Sequence, residues 1–452
     1  MPNDMFTFDP EMTNLVMTYC RERLAMDPAP LDYTGNQDTL DGVLKGLINE
    51  NGSNLELVLK AFEDTLAQSI ISIDSPRFLS FIPTAPTKAS LLFDMIVSAS
   101  SLNGTSWLEA SGAVAAENQV IAFLAKAAGL PNSAGGVFVS GGTIGNLSSL
   151  VVARDQARIR YPELQNQRLR FAVSAEAHSS IASALSIIDC DTLIIPTEDH
   201  RMTLAALKET LKNDPNPQTV ICIVATAGTT NAGIVDELEG IGEFARSTGK
   251  WFHIDGAYGA AAMLSSERKQ LFTGMRHADS FIVDPHKWLF TPFDCAAVIY
   301  RDPEKAATSH TQNAAYLDVL HEESTEWNPS DYAIGLTRRA RGLPFWFSLC
   351  VNGTKAYSEA IDYSILLAER TVEIIDSLEH VEMVRQTELS IVLFRRIGWK
   401  EDDYYQWSQK LLTEQMGFVV PTKFEGETIS RFAFLHPHTT EEMVVEILDS
   451  MS

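Results

Sequence analysis

Between residues 135 and 284 the chain alternates short runs of β-branched and aromatic residues with longer amphipathic stretches. GGVFVS precedes NLSSLVVARDQARIR, RFAVS precedes SSIASALSI, and TLIIPT precedes TLAALKETLKN. TVICIVATA is followed by GIGEFARSTG, and then come WFHIDGA and SFIVD. Runs this apolar have to be covered on both faces, and stretches of roughly 10–15 residues between them suit helices crossing back over a sheet. The pattern therefore predicts βαβ units and a mainly parallel sheet, an α/β fold.

What flanks this core is different in kind. Residues 8 to 75 show helical periodicity, broken at Asp27-Pro28 and Asn51-Gly52, with no strand-like alternation. From Pro344 the pattern is again mainly helical, then offers two strand-like runs, SIVLFRRI and SRFAFLHP, and a closing helix, TEEMVVEILDSM. We read residues 1–80 as a helical arm, 81–343 as a large α/β domain and 344–452 as a small α+β domain. A chain of 452 residues is long enough for more than one core.

Charge narrows the partners. A net charge of −24, from 35 basic and 59 acidic residues, argues against nucleic acid or an anionic membrane surface. An anionic ligand would need a locally cationic site. No apolar stretch approaches the roughly 18–20 residues that span a bilayer, and the N-terminus lacks the marks of a secretory signal. Five dispersed cysteines without a CxxC pair fit free thiols in a reducing cytoplasm better than disulfides or a zinc site, so no metal is expected.

The chemistry sits on turns after the apolar runs, where open α/β sheets bind ligands. Lys287, in Val283-Asp284-Pro285-His286-Lys287-Trp288, lies between apolar neighbours. Burial beside positive charge makes a lysine an amine nucleophile that condenses with aldehydes, although a lysine there can also reach out to solvent. Asp255 ends the run FHID and needs a cation or hydrogen bonds to stay charged, while Ala257, two residues on, is small enough to admit a flat ring. Gly141-Gly142-Thr143 opens a helix and brings backbone N–H groups and a helix dipole toward an anion. His178, in EAHSS, suits stacking or acid–base work, and Thr226 closes the run ICIVAT. Read singly, these residues also fit a turn carboxylate, a Thr143 N-cap and a hydrogen-bonded structural histidine. Five such signals in succession at strand ends favour a site.

In this order SGGTxxN, EAHSS, ATAGTTNAG, HIDGAYG and DPHKW, the chain resembles the group II pyridoxal phosphate (PLP)-dependent amino-acid decarboxylases, from about Pro76 to the C-terminus. The resemblance implies fold type I of the PLP-dependent transferases, PLP as cofactor, and a homodimer with active sites at its interface. It implies that Lys287 forms the Schiff base, Asp255 pairs with the pyridinium nitrogen, His178 stacks on the ring and Ala257 packs on its other face. Gly142, Thr143 and His286 would contact the phosphate, with Asp284 nearby and Thr226 beside the ring. The expected reaction converts an L-amino acid to its amine and CO2.

Two segments depart from that pattern. Many members carry a catalytic Tyr shortly before Arg338-Arg339-Ala340-Arg341, and the matching position here is Pro329. Tyr332 is the expected proton donor from a shifted loop, with packing against a dimer partner as its other role. The segments that select substrate in aromatic members match Phe81-Ile82-Pro83-Thr84 and Leu102 to Trp107. Phe81, Pro83, Asn103 and Thr105 are thus the expected substrate contacts, the latter two more polar than aromatic-specific members carry. The missing Tyr keeps open an aldehyde synthase, which couples decarboxylation to oxidative deamination, and a PLP-binding homologue without turnover.

Overall fold

The computed structural model describes residues 4–312 and 326–452. Three helices open the chain, α1 (Pro10–Ala25), α2 (Gln37–Leu44) and α3 (Leu55–Ala61). Asp9, Asn36 and Asn54 cap them by accepting backbone N–H groups of the first turn. None of the three holds a buried residue. Helices α4 (Lys88–Ala99) and α5 (Trp107–Ala127) then lead to the sheet.

The alternation seen in the sequence becomes β1 (Gly135–Val139), α6 (Gly142–Arg160), β2 (Arg170–Ser174), α7 (Ser179–Ile187), β3 (Asp191–Ile195) and α8 (Leu204–Asn213). It continues with β4 (Val220–Thr226), α9 (Leu238–Thr248), β5 (Trp251–Asp255), β6 (Ser280–Val283) and β7 (Ala296–Tyr300). These seven strands form one sheet in the order β1-β7-β6-β5-β4-β2-β3. Neighbours from β3 through β6 are parallel, whereas β7 runs antiparallel to both β1 and β6. β7 was not expected. No helix precedes it; the chain returns to it from β6 through residues 284–295, the segment that carries Lys287.

Every residue of β4 and β5 is buried. Burial of each large apolar side chain there contributes about 1.5–3 kcal/mol, so a one-residue slip that exchanged the two faces is strongly disfavoured. The register sets Asp255 beside Thr226 of β4 and Ile282 of β6.

After α10 (Pro303–His310), the chain enters α11 (Leu343–Asp376), which turns sharply at Gly353, where φ is 76°. Only a glycine takes that left-handed backbone without strain. β8 (Val381–Met383), β9 (Ile391–Arg396), α12 (Glu401–Thr413), β10 (Thr422–Phe424), β11 (Glu427–Ala433) and α13 (Glu441–Asp449) complete the chain. Their antiparallel sheet has the order β10-β11-β9-β8. β9 and β11 are the two expected strands, while β8 and β10 are too short to show alternation. Segment 77–84 is tied to this small sheet region: Leu79 N donates to Phe418 O at 3.0 Å and Thr84 Oγ1 to Leu435 O at 2.6 Å. No described helix is long and apolar enough to cross a membrane.

Candidate active site

The C-terminal ends of β1, β2, β4, β5 and β6 converge on a cavity of about 240 Å3. Gly142 and Thr143 begin α6 at its wall, and His178 caps α7, its Nδ1 accepting Ser180 N at 3.2 Å. Thr226, Asp255, Ala257, Asp284, His286 and Lys287 complete the set of expected cofactor contacts, and all nine line this one cavity. Gly142 is required by proximity. A Cβ there would stand 2.9 Å from Asp284 Oδ2 and 3.3 Å from Ala257 Cβ.

Asp255 is buried, yet both of its oxygens are served: Oδ1 accepts Ala257 N at 3.1 Å and Oδ2 accepts Asn146 Nδ2 at 2.9 Å. Two N–H donors thus satisfy the buried side chain. Lys287 differs from expectation in its neighbour, which is a carboxylate rather than a positive charge: Nζ lies 3.0 Å from Asp284 Oδ2. Asp284 also accepts Gly142 N at 3.2 Å. His286 Nδ1 accepts Cys295 N at 3.0 Å, and burial lowers its pKa below the ordinary range, so its neutral ring keeps a proton on Nε2.

A second, more apolar cavity of about 640 Å3 adjoins the first. His178, Thr230, His286 and Lys287 line both, which puts Lys287 at the junction. Phe81, Ile82, Pro83, Phe293 and Val420 supply apolar walls. Among the described residues its one guanidinium belongs to Arg431, 8 % exposed, which donates to Thr230 O at 2.6 Å and Phe81 O at 3.1 Å. No described carboxylate pairs with it, and burial lowers its pKa to about 10.

A family model described as the pyridoxal-dependent decarboxylase conserved domain matches residues 43–397. The chain belongs to this family. The aromatic-L-amino-acid decarboxylase of Bacillus atrophaeus is 32% identical over 432 residues, 93% of this chain and 89% of that protein. The L-2,4-diaminobutyrate decarboxylase of Rhizobium meliloti is 27% identical, covering 90% of this chain and 85% of that one. A crystal structure of Oryza sativa TDC with PLP and tryptamine shares the fold, with a TM-score of 0.88 at 23% identity over 98% of this chain and 99% of that one.

As a pyridoxal-dependent decarboxylase, the chain is a carboxy-lyase that uses PLP to remove CO2 from an amino acid. These decarboxylase relatives do not favour the aldehyde synthase alternative. The smaller cavity fits the cofactor. Thr226 Oγ1 and Asp284 Oδ1 are buried without a hydrogen-bond partner among the described residues, as atoms that bind a ligand would be. Gly142 leaves open the space that a side chain would fill, beside the first turn of α6.

The family pattern did not lead to every residue. Asn103, Thr105 and Tyr332 line neither cavity. Asn103 is exposed and donates to Glu109 Oε1 at 2.8 Å, and Thr105 Oγ1 turns back to Asn103 Oδ1 at 2.6 Å. Tyr332 stacks on Trp327 with centroids 3.8 Å apart, and burial raises its pKa to about 12. The fold of one chain thus does not bring the expected proton donor to Lys287. Conversely, Asn146 and Arg431 carry weight at the site without having been singled out; the asparagine of SGGTxxN was a signal for the first.

Proposed function

We propose that this decarboxylase acts on an L-amino acid with an apolar, aromatic side chain, bound in the larger cavity with its α-carboxylate toward Arg431. The observation that carries the reading is Lys287 at the junction of a polar pocket and an apolar one. Among the described residues no Asp or Glu lines the larger cavity, so a second substrate amine finds no counter-charge from them, while Phe81, Pro83 and Phe293 offer contact to a ring.

Lys287 would hold PLP through Nζ, Asp255 its ring nitrogen, and Gly142, Thr143 and His286 its phosphate, with Asp284 nearby. His178 and Ala257 would flank the ring and Thr226 would lie beside it. When bound, PLP supplies an electron-withdrawing ring that accepts the electrons left by CO2. Asp255 keeps negative charge opposite the ring nitrogen. Arg431 would hold the carboxylate, while the apolar walls of the larger cavity limit the water that reaches the reacting carbon. Lys287 and His178 are proton-bearing groups that line both cavities, and the proton returned to the substrate carbon is assigned to this pair.

We further propose a homodimer in the cytoplasm. Val16, Met17, Leu57, Val58 and Phe62 are exposed on or beside arm helices that hold no fully buried residue. A second copy covering them would bring Asn103 or Tyr332 near a substrate only from across the interface. Sedimentation should give twice the 49.9 kDa chain mass, and Val16→Asp with Val58→Asp should give monomers. The activity is tested by measuring CO2 and amine release from a panel of L-amino acids, with hydrogen peroxide measured alongside. Turnover of aromatic substrates without peroxide is expected. Preference for a diamino acid would refute the substrate assignment, and stoichiometric peroxide would refute simple decarboxylation.

A further inference from the structure

From Asp255 and His178 in the wall of the PLP cavity a polar chain runs into the core, and its inner members have no task in the reaction. His253 and Ser280 are fully buried, and Asn146 is 1 % exposed. Trp251 Nε1 donates to Ser280 Oγ at 2.9 Å, and Ser280 Oγ lies 2.9 Å from His253 Nδ1. His253 Nε2 is 2.9 Å from Asn146 Oδ1. Asn146 Nδ2 donates to Asp255 Oδ2 at 2.9 Å and to Ser180 Oγ at 3.1 Å. Ser180 Oγ lies 2.9 Å from His178 Nδ1.

Proton positions along this chain follow from its two ends. An indole N–H only donates, and a carboxylate only accepts. Asp255 therefore takes an N–H of Asn146, which turns Oδ1 toward His253, and Nε2 has to carry the imidazole proton. Trp251 occupies a lone pair of Ser280, whose hydroxyl hydrogen is free for a bare His253 Nδ1. Burial agrees, holding His253 well below its ordinary pKa and therefore neutral. The second N–H of Asn146 serves Ser180, whose hydroxyl hydrogen turns to His178 Nδ1. With Nδ1 accepting from Ser180, the ring proton of His178 lies on Nε2.

We propose that Asn146 is a positioning residue that couples Asp255 to His178, and that His253 sets the orientation of its amide. The proposal rests on the reading that Asp255 holds the ring nitrogen and His178 flanks the ring. A flipped Asn146 would set Oδ1 against the Asp255 carboxylate and its NH2 against His253 Nε2–H, two repulsive contacts in a buried site. Register enforces the geometry. His253 and Asp255 share a face of β5, Ser280 pairs with His253 across β6, and α6 brings Asn146 onto that face. An amide does not titrate in this range, so the network supplies N–H to Asp255 without offering it a proton.

The test compares His253→Phe, which keeps a flat ring and removes both nitrogens, with His253→Gln, whose amide N–H stands near the position of Nε2. Asp255→Asn serves as reference. His253→Phe is expected to weaken PLP binding to the apoenzyme by about tenfold and to lower kcat more than it changes KM. His253→Gln should recover most of both, and Asp255→Asn should lose more than either. A folded His253→Phe with wild-type PLP affinity overturns the proposal, as does a Gln variant that behaves like Phe, which would reduce His253 to packing. Nitrogen NMR of the histidine-labelled holoenzyme needs no variant. His253 should be the Nε2–H tautomer throughout about pH 6 to 8, and an Nδ1–H or doubly protonated ring overturns the assignment. Should Asp255→Asn itself keep its PLP affinity and kcat, the reading of Asp255 fails, while the tautomer still decides the network.

Discussion

Replacing Arg431 by Met separates substrate binding from cofactor binding. Arg431 lines the larger cavity and not the smaller one, and among the described residues its guanidinium has hydrogen bonds only to the carbonyls of Thr230 and Phe81. Two of five N–H groups are thereby engaged, and the rest are available to a substrate carboxylate. A hydrogen bond to a charged partner contributes about 1.5–3 kcal/mol, which corresponds to a loss of roughly 10- to 150-fold in kcat/KM. The interaction exists before CO2 leaves, so the loss should fall on KM rather than kcat. Initial rates of amine release across substrate concentration read the effect directly. PLP affinity and the thermal midpoint, measured on the same preparation, show whether cofactor binding and fold are intact. Arg431→Lys keeps the charge without the planar fork and should recover only part of KM. A folded, PLP-loaded Arg431→Met with KM within about twofold of wild type would refute the assignment, as would a loss confined to kcat.

Four further outcomes are expected. Lys287→Ala should abolish both turnover and the borohydride-sensitive absorption band near the visible edge; persistence of that band would place the covalent link elsewhere. Glu117→Leu should cost about 3–5 kcal/mol in urea unfolding, because Glu117 makes two hydrogen bonds with buried Arg338, at 2.9 and 2.8 Å, and accepts Gly342 N at 2.8 Å. His253 is a base whose folded pKa is depressed, so its stabilisation is complete above the unfolded value of 6.5 and is lost as pH falls toward about 4. Unfolding free energies measured through that window should fall more steeply for the wild type than for His253→Gln, and parallel slopes would refute the coupling. Tyr332→Phe should keep at least about half of the decarboxylase activity, since the ring stacks outside both cavities; a hundredfold loss would instead assign the proton to Tyr332 acting across a dimer.

Legibility in the sequence followed the range of the interaction that makes each feature. Strands β1, β2, β4, β5 and β6 were visible because burial on both faces imposes an apolar run, whereas β3, at the sheet edge with Ile194 exposed, was visible through its β-branched residues alone. The expected cofactor contacts were visible because each falls at the end of such a run or in the segment that follows it. β7 escaped, since its position between β1 and β6 is a pairing across the sheet, and Ala296-Ala297 lack β-branched side chains. β8 and β10, three residues each, are stabilised by neighbours rather than by their own pattern. Asn103 and Thr105 were reached through a family pattern, and their loop turns its hydrogen bonds inward to Glu109 and to itself.

Lys287, Asp255, His178 and the Gly141-Gly142-Thr143 turn could be read from the chain alone, because strand ends in an open parallel sheet share one edge whatever the detailed packing. The surroundings of those residues required three dimensions. Asp284 beside Lys287, Arg431 at the second cavity and the single proton arrangement through His253, Asn146 and Ser180 depend on atoms brought within about 3 Å by separate elements. Hydrogen bonding and charge pairing act over that short range and leave no periodic trace in a sequence. The sequence by itself determined which groups are available at the site, and tertiary contact decided their partners and their protons.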